Sequence, residues 1–232
     1  MTKSDSNYAL WARIAREPEA NFDYVANALS VLSGKPKVTT SEELLILLQG
    51  ISRGQALLEQ SCAWSKPSAG RPSKKLSELR GQQWRLVMAY AGFEIILKSL
   101  YGKDHPGIEE FRKLEASIEA VENLKPIAAP RLTKSIKEKW IADEKLLKFL
   151  SFRNYDLKLF KRWIVDGAPV ETLVEQLALA KALRNGTAHA ALSANKCQQL
   201  KLGETLERLP FVIHSAVDAI FCTLLNLSLI HI

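Results

Sequence analysis

The chain has 232 residues, of which 47% are hydrophobic and 25% charged, with a formal net charge of +7. That balance excludes a disordered or collagen-like polymer and allows a substantial core, in one large domain or one domain with a small appendage. Cys62, Cys197 and Cys222 form no C-x-x-C pair and leave an odd one over, which argues against a disulfide framework or a cysteine zinc site and for a reducing compartment.

In chain order the pattern reads helix after helix with little strand signal, so the expected class is all-α. The first residues run into Arg13, Arg16 and Glu17 with no apolar signal core. Tyr8 to Ile14 and Phe22 to Leu32 are short helical candidates, separated by Pro18, and Gly34-Lys35-Pro36 ends the second. Thr40-Ser41-Glu42-Glu43 reads as a helix start, and Leu44, Leu45, Leu47, Leu48, Ile51, Leu57 and Leu58 carry that helix towards Trp64, with Gly50 and Gly54 as its weak points. Lys66 to Lys75, rich in Pro, Ser and basic residues, reads as a linker. Trp84 to Tyr101 is apolar almost all round, the mark of a central bundle helix, and its polar exceptions Glu94 and Lys98 have the spacing of a helical ion pair. After a loop at Gly102 to Gly107, helices are expected at Ile108 to Leu124, Leu132 to Leu150, Tyr155 to Val165, Val170 to Leu183 and Glu204 to Asn226. The apolar stretch Phe211 to Leu227 is interrupted by His214, Asp218 and Asn226, which argues against a membrane span. The terminal Leu-Ser-Leu-Ile-His-Ile has the form of translated sequencing-adapter read-through. The expected organisation is therefore an N-terminal helical segment over 1–65, a basic linker over 66–80, a helical bundle over 81–226 and a non-native tail over 227–232.

Chemistry concentrates at Arg184-Asn185-Gly186-Thr187-Ala188-His189. An always-charged guanidinium neutralises phosphate oxygens, and an imidazole moves a proton near neutral pH, the pair that metal-free phosphodiester cleavage needs. Five steps of an unbroken helix would set Arg184 and His189 about 140° apart. Asn-Gly, however, tolerates left-handed backbone angles, so the expectation is a helix ending near Leu183 or Arg184, a tight turn, and a second helix from Thr187. Both side chains would then converge, with a phosphate on the N–H groups of a helix capped by Thr187. The plainer alternative is a helix-terminal Arg and a half-exposed His in a turn.

The run resembles the R-x4-6-H signature of the HEPN superfamily (higher eukaryotes and prokaryotes nucleotide-binding domains), in which Arg is followed by a polar residue and closed by His. Arg184, Asn185 and His189 match these elements, within a resemblance extending from about Gln82 to Asn226. It implies an HEPN-like helical bundle that forms a homodimer, with the two motifs facing each other in a composite site. Many members are metal-independent endoribonucleases of toxin, abortive-infection or CRISPR-linked systems, and others are catalytically silent. The implied roles are proton transfer for His189, phosphorane stabilisation for Arg184 and orientation for Asn185, with Glu94 as the acidic residue on an early helix. The implied setting is a cytoplasmic protein without cofactor or metal, acting on single-stranded or loop RNA under an antitoxin or regulatory partner, with no membrane. A non-catalytic HEPN module binding RNA, nucleotide or a protein partner is the alternative; a helical DNA- or RNA-binding scaffold is a third reading.

Lys125 to Arg162 holds eleven basic residues against four acidic ones, a local excess of +7. Its Lys134, Lys137, Lys139, Lys148 and Lys158 are candidate RNA-phosphate contacts, equally readable as a solvated face. The interleaved Trp140, Phe149, Phe152, Tyr155, Phe160 and Trp163 suit unstacked bases, but amphipathic helices with aromatics inward account for them better. Competing signatures are missing: no G-x-x-x-x-G-K-[ST] loop, no G-x-G-x-x-G, no G-x-S-x-G and no His pair at metal-ligand helical spacing. Glu109-Glu110 and Asp143-Glu144 read as solvated helix faces.

Overall fold

A computed structural model describes residues 6–16, 18–64, 74–118, 121, 124–141, 154–189 and 191–229. The protein is all-α. Its helices are α1 (Asn7–Ala15), α2 (Pro18–Ser33), α3 (Ser41–Ala63), α4 (Lys74–Tyr101), α5 (Ile108–Ser117), α6 (Lys134–Ile141), α7 (Asn154–Lys161), α8 (Leu173–Ala188), α9 (Ala194–Gln199) and α10 (Gly203–Leu229). Among the described residues there is no strand, and Ile127 and Val170 form an isolated antiparallel bridge.

The chain divides into two compact units. Unit one comprises Met1–Ala56, Gly92–Glu122 and His214–Ile232, and unit two comprises Leu57–Ala91 and Asn123–Ile213. In unit one, Ser6 caps α1 by accepting the Ala9 amide, and Trp11, buried, packs its ring 5.5 Å from that of Phe221. Tyr8 meets the same ring edge-on at 4.9 Å. Val25, Ala28, Leu29 and Leu32 form the buried i, i+3, i+4, i+7 stripe of α2. Gly50 and Gly54 do not break α3, which runs continuously; they let it approach α4. A Cβ on Gly54 would stand 2.6 Å from the Gly92 carbonyl oxygen and from Ile96 Cγ1, and one on Gly50 would strike the Ser99 side chain. Helix α4 ends at Gly102, whose φ of +65° is left-handed and whose amide bonds the Lys98 carbonyl.

Unit two is built around α8. Leu173, Val174 and Gln176 through Ala180 are all buried, so the N-terminal half of this helix is core on nearly every side. An extended stretch at 124–130 is laced to its neighbours. Ile127 and Val170 exchange backbone hydrogen bonds, Gln176 and Arg208 donate to the Lys125 carbonyl, and Trp163, fully buried, donates its indole N–H to Ala128. A π-type turn at Arg162–Asp166 follows α7 and closes on the left-handed Gly167. Several expectations shift. Helix α4 starts at Lys74 rather than Trp84, taking up part of the expected linker over 66–80, whose residues 66–73 lie outside the described residues. Trp84, read as core, is 48% exposed. The short α9 starts at Ala194, seven residues beyond the helix start expected at Thr187. Residues Gly203–Ser228 are long and apolar enough to cross a membrane by length and composition, with mean hydropathy 1.6, but 56% of that window is buried, as in a core helix. Helix α10 also runs on through Leu227 and Ser228, the latter fully buried.

At the start of α8, Thr172 accepts the Glu175 amide, while the Glu175 carboxylate accepts the Glu171 amide at 2.9 Å and the Arg162 guanidinium at 2.7 Å. Burial acts to raise the Glu175 pKa; these donors outweigh it and hold the group below the usual carboxylate range. A lowered folded-state pKa contributes stability above the unfolded value that is lost as pH falls through the folded one. Glu175→Gln should therefore destabilise the protein by about 1 kcal/mol at pH 7, with the difference closing as pH drops below about 4.5. Parallel urea-midpoint curves for both proteins from pH 7 to pH 3 would contradict this.

Candidate functional site

The 184–189 run does not form a turn. Helix α8 continues through Asn185 and Gly186 to Ala188, and His189 caps it with φ −93° and ψ 16°. The left-handed glycines among the described residues are Gly34, Gly102 and Gly167, so Gly186 serves another purpose. It is buried, its carbonyl accepts the Leu192 amide at 2.7 Å, and a Cβ there would lie 3.2 Å from Leu192 Cβ. Glycine at 186 admits the returning chain. The expected second helix at Thr187 is absent, and with it the phosphate site on free N–H groups: this is a helix C-terminus, where carbonyls point outward and the dipole disfavours anions. Any phosphate here must be held by side chains.

Those side chains are well placed at the surface. Where the first half of α8 is buried, its last turns open to solvent at Lys181, Arg184, Asn185, Thr187, Ala188 and His189, the last two exposed and the rest half-exposed. Arg184 donates from Nη1 to Asn185 Oδ1 at 2.8 Å, and its Cζ lies 5.2 Å from the centroid of the Tyr90 ring. Thr187 Oγ1 and the Leu192 carbonyl both accept from Gln83 Nε2, at 3.1 and 2.7 Å. The His189 amide bonds back to Asn185 at 3.0 Å. With no break in the helix, Arg184 and His189 leave its axis about 140° apart. A single copy therefore aligns Arg184 with Asn185, while His189 leaves the helix from a different face.

No family model, curated protein or solved structure matches this chain.

The remaining predicted residues fall in two places. Glu94 belongs to unit one, where its carboxylate faces His105 Nδ1 at 3.7 Å, while Lys98 pairs with Asp104 at 2.5 Å. Nearby, Glu110 is buried rather than solvated. It accepts Lys103 and the Gly107 amide, each at 2.7 Å, and although burial works the other way these bonds hold its pKa below the usual range. Burial and the Glu110 carboxylate push the Tyr101 phenol up to about 12. Among the described residues no group of three or more His, Cys, Asp or Glu could hold a metal ion.

The candidate lysines lie in unit two, and they are not equivalent. Lys134, Lys139 and Lys158 are exposed, Lys134 facing Glu138 at 3.9 Å. Lys137 instead donates to the Val165 carbonyl at 2.7 Å and ties α6 to the π-type turn. Lys148 lies outside the described residues. Of the aromatics, Phe160 and Trp163 are buried and pack on each other at 6.0 Å, so they belong to the core and not to a stacking surface. Charge follows the structural division: unit two has 22 Lys and Arg against 11 Asp and Glu, a formal +11, and unit one has 10 against 14, a formal −4. The unit that carries the motif holds all of the net positive charge.

Sequence reasoning missed Lys181, Gln83 and Tyr90. Lys181 was legible, because positions 181, 184, 185 and 188 share one helix face. Tyr90 carried no signal beyond the pattern of a central helix, and Gln83 lay just before the expected start of that helix. Lys137→Met should lower stability by about 1 kcal/mol by leaving the Val165 carbonyl without its donor, whereas Lys134→Met, Lys139→Met and Lys158→Met should each stay within about 0.5 kcal/mol of the parent. Urea denaturation of the four variants checks this ranking, and equal losses in all four would refute it.

Proposed function

We propose that this protein is an HEPN-like, metal-independent endoribonuclease that cleaves single-stranded or loop RNA as a homodimer. The observation that carries the reading is where the polar triplet sits. A helix buried over most of its first half opens to solvent towards its end, and the side chains it presents there include Arg184, Asn185 and His189, on the unit of formal net charge +11. Packing alone does not call for an arginine, an amide and a histidine at that point.

In this mechanism His189 takes the ribose 2′-hydroxyl proton or protonates the departing 5′-oxygen. Arg184 neutralises the pentacoordinate phosphorane, and Asn185, bonded to its guanidinium, orients it. The products are a 2′,3′-cyclic phosphate and a 5′-hydroxyl. The angular separation within one copy supports the dimer. Residues on different faces of one helix can meet across a two-fold axis, Arg184 of one copy beside the other copy's histidine, and two histidines supply a base and an acid together. Exposed lysines of unit two supply the long-range attraction for RNA. A non-catalytic module binding RNA, nucleotide or a partner is the second reading, favoured by the guanidinium already resting on Tyr90 and Asn185.

Purified protein incubated with total RNA, with and without EDTA, tests the reading. Cleavage should persist in EDTA, and Arg184→Ala and His189→Ala should each abolish it while changing melting by only a few degrees. Cleavage that requires a divalent ion, or that survives His189→Ala, removes the mechanism; RNA binding without cleavage selects the second reading.

A separate measurement addresses the basic surface. Neutralising Lys134, Lys139 and Lys158 together should flatten the dependence of RNA affinity on salt by roughly one phosphate contact per residue. An unchanged slope returns these lysines to an ordinary solvated face.

A further inference from the structure

We propose that Gln83 and Tyr90 are positioning residues for the 184–189 motif, Tyr90 setting the guanidinium of Arg184 and Gln83 the end of α8 that carries His189. This rests on the function proposed above. Seven residues apart, they lie on one stripe of α4, about 20° from alignment along the helix axis.

Tyr90 is 1% exposed, so its ring is a fixed surface. The guanidinium lies over the ring face, where the quadrupole attracts a cation, and one of its edges is fixed by Asn185 Oδ1. A long, flexible side chain is thereby held on one face and one edge before any substrate arrives, which is the preorganisation an anion-binding arginine requires. An aliphatic residue would fill the same space but would offer the guanidinium no attraction.

Gln83 supports the other end. It is 4% exposed, in a stripe otherwise made of Leu79, Leu86 and Tyr90. Packing at such a position is met by leucine or methionine without a polar group to satisfy. The amide instead spends both its hydrogens on Thr187 Oγ1 and the Leu192 carbonyl, which bracket His189 two residues before and three after. It ties Thr187 to Leu192 and so holds both sides of His189.

The test compares Tyr90→Leu, Tyr90→Met, Tyr90→Phe and Gln83→Met with the full-length parent. Phenylglyoxal modification, mapped by mass spectrometry, gives the rate at Arg184 relative to the exposed Arg80 and Arg131 of the same molecules. Losing the ring should raise that ratio about fivefold, and Tyr90→Phe, which keeps a ring face, should restore it. Tyr90→Met serves if the leucine variant does not fold. Amide exchange at Leu192 should quicken in Gln83→Met. In cleavage assays the ring-less variants and Gln83→Met should lose kcat at nearly constant KM, with Tyr90→Phe close to the parent. An unchanged Arg184 ratio in a folded ring-less variant overturns the Tyr90 assignment, as does a phenylalanine variant that behaves like leucine; unchanged exchange at Leu192 overturns that of Gln83. A parent that cleaves no RNA defeats the proposed function, while the modification and exchange ratios still decide this inference.

Discussion

The candidate site depends on one close approach, that of Leu192 to Gly186. Beyond the end of α8 at His189, Leu192 comes so near that a methyl group on residue 186 would press on it at 3.2 Å. That approach supplies the amide for the Gly186 carbonyl, an orphan of the helix terminus, and so allows α8 to stay helical through Asn185 and Gly186. It also sets the Leu192 carbonyl beside Thr187, where one buried amide can reach both. The angular divergence of Arg184 and His189 follows from the same contact, because a helix that is satisfied at its end has no reason to break earlier.

Glycine explains why the site was only half legible. Asn-Gly is an equally good signature of a left-handed turn and of a place where two backbones must nearly touch, and the two uses imply opposite geometries for the flanking side chains. The choice is made by Leu192, six residues on, whose position no local pattern reveals. Gly50 and Gly54 on α3 repeat the lesson: as isolated glycines they lower helix propensity, and in the fold they admit Ser99, Gly92 and Ile96. The helices themselves were legible wherever an apolar stripe recurs at helical period, as at Val25, Ala28, Leu29 and Leu32. The first turns of α4 were not, because Lys74 to Gly81 is mostly polar and follows a Pro- and Ser-rich run. Glu110 looked like half of a solvated pair since its partners, Lys103 and the Gly107 amide, lie in the preceding loop and not on its own helix.

Unit two carries a formal charge of +11, and its basic groups are of two kinds. Exposed lysines such as Lys134, Lys139 and Lys158 act at a range screened within about 8 Å at physiological salt. The arginine is different in kind: it stands at the negative end of a helix dipole, which acts against a phosphate there, and it is held on an aromatic face. An anion at this point gains nothing from the backbone, so its affinity rests on the side chains alone. Phe160 and Trp163 are buried in the core and present no ring face to bases.

The pairing of α1 with the far end of α10 has a consequence for how the chain is made. Tyr8 and Trp11 find their partner in Phe221, and Asn7 donates to Asp218, 211 residues away. Elongation proceeds at about 5–20 residues per second, so α1 spends on the order of ten seconds or more outside the ribosome before the ring it packs against exists. The contact of these rings with Phe221 is one of very high sequence separation, so it closes late, after α10 has been synthesised.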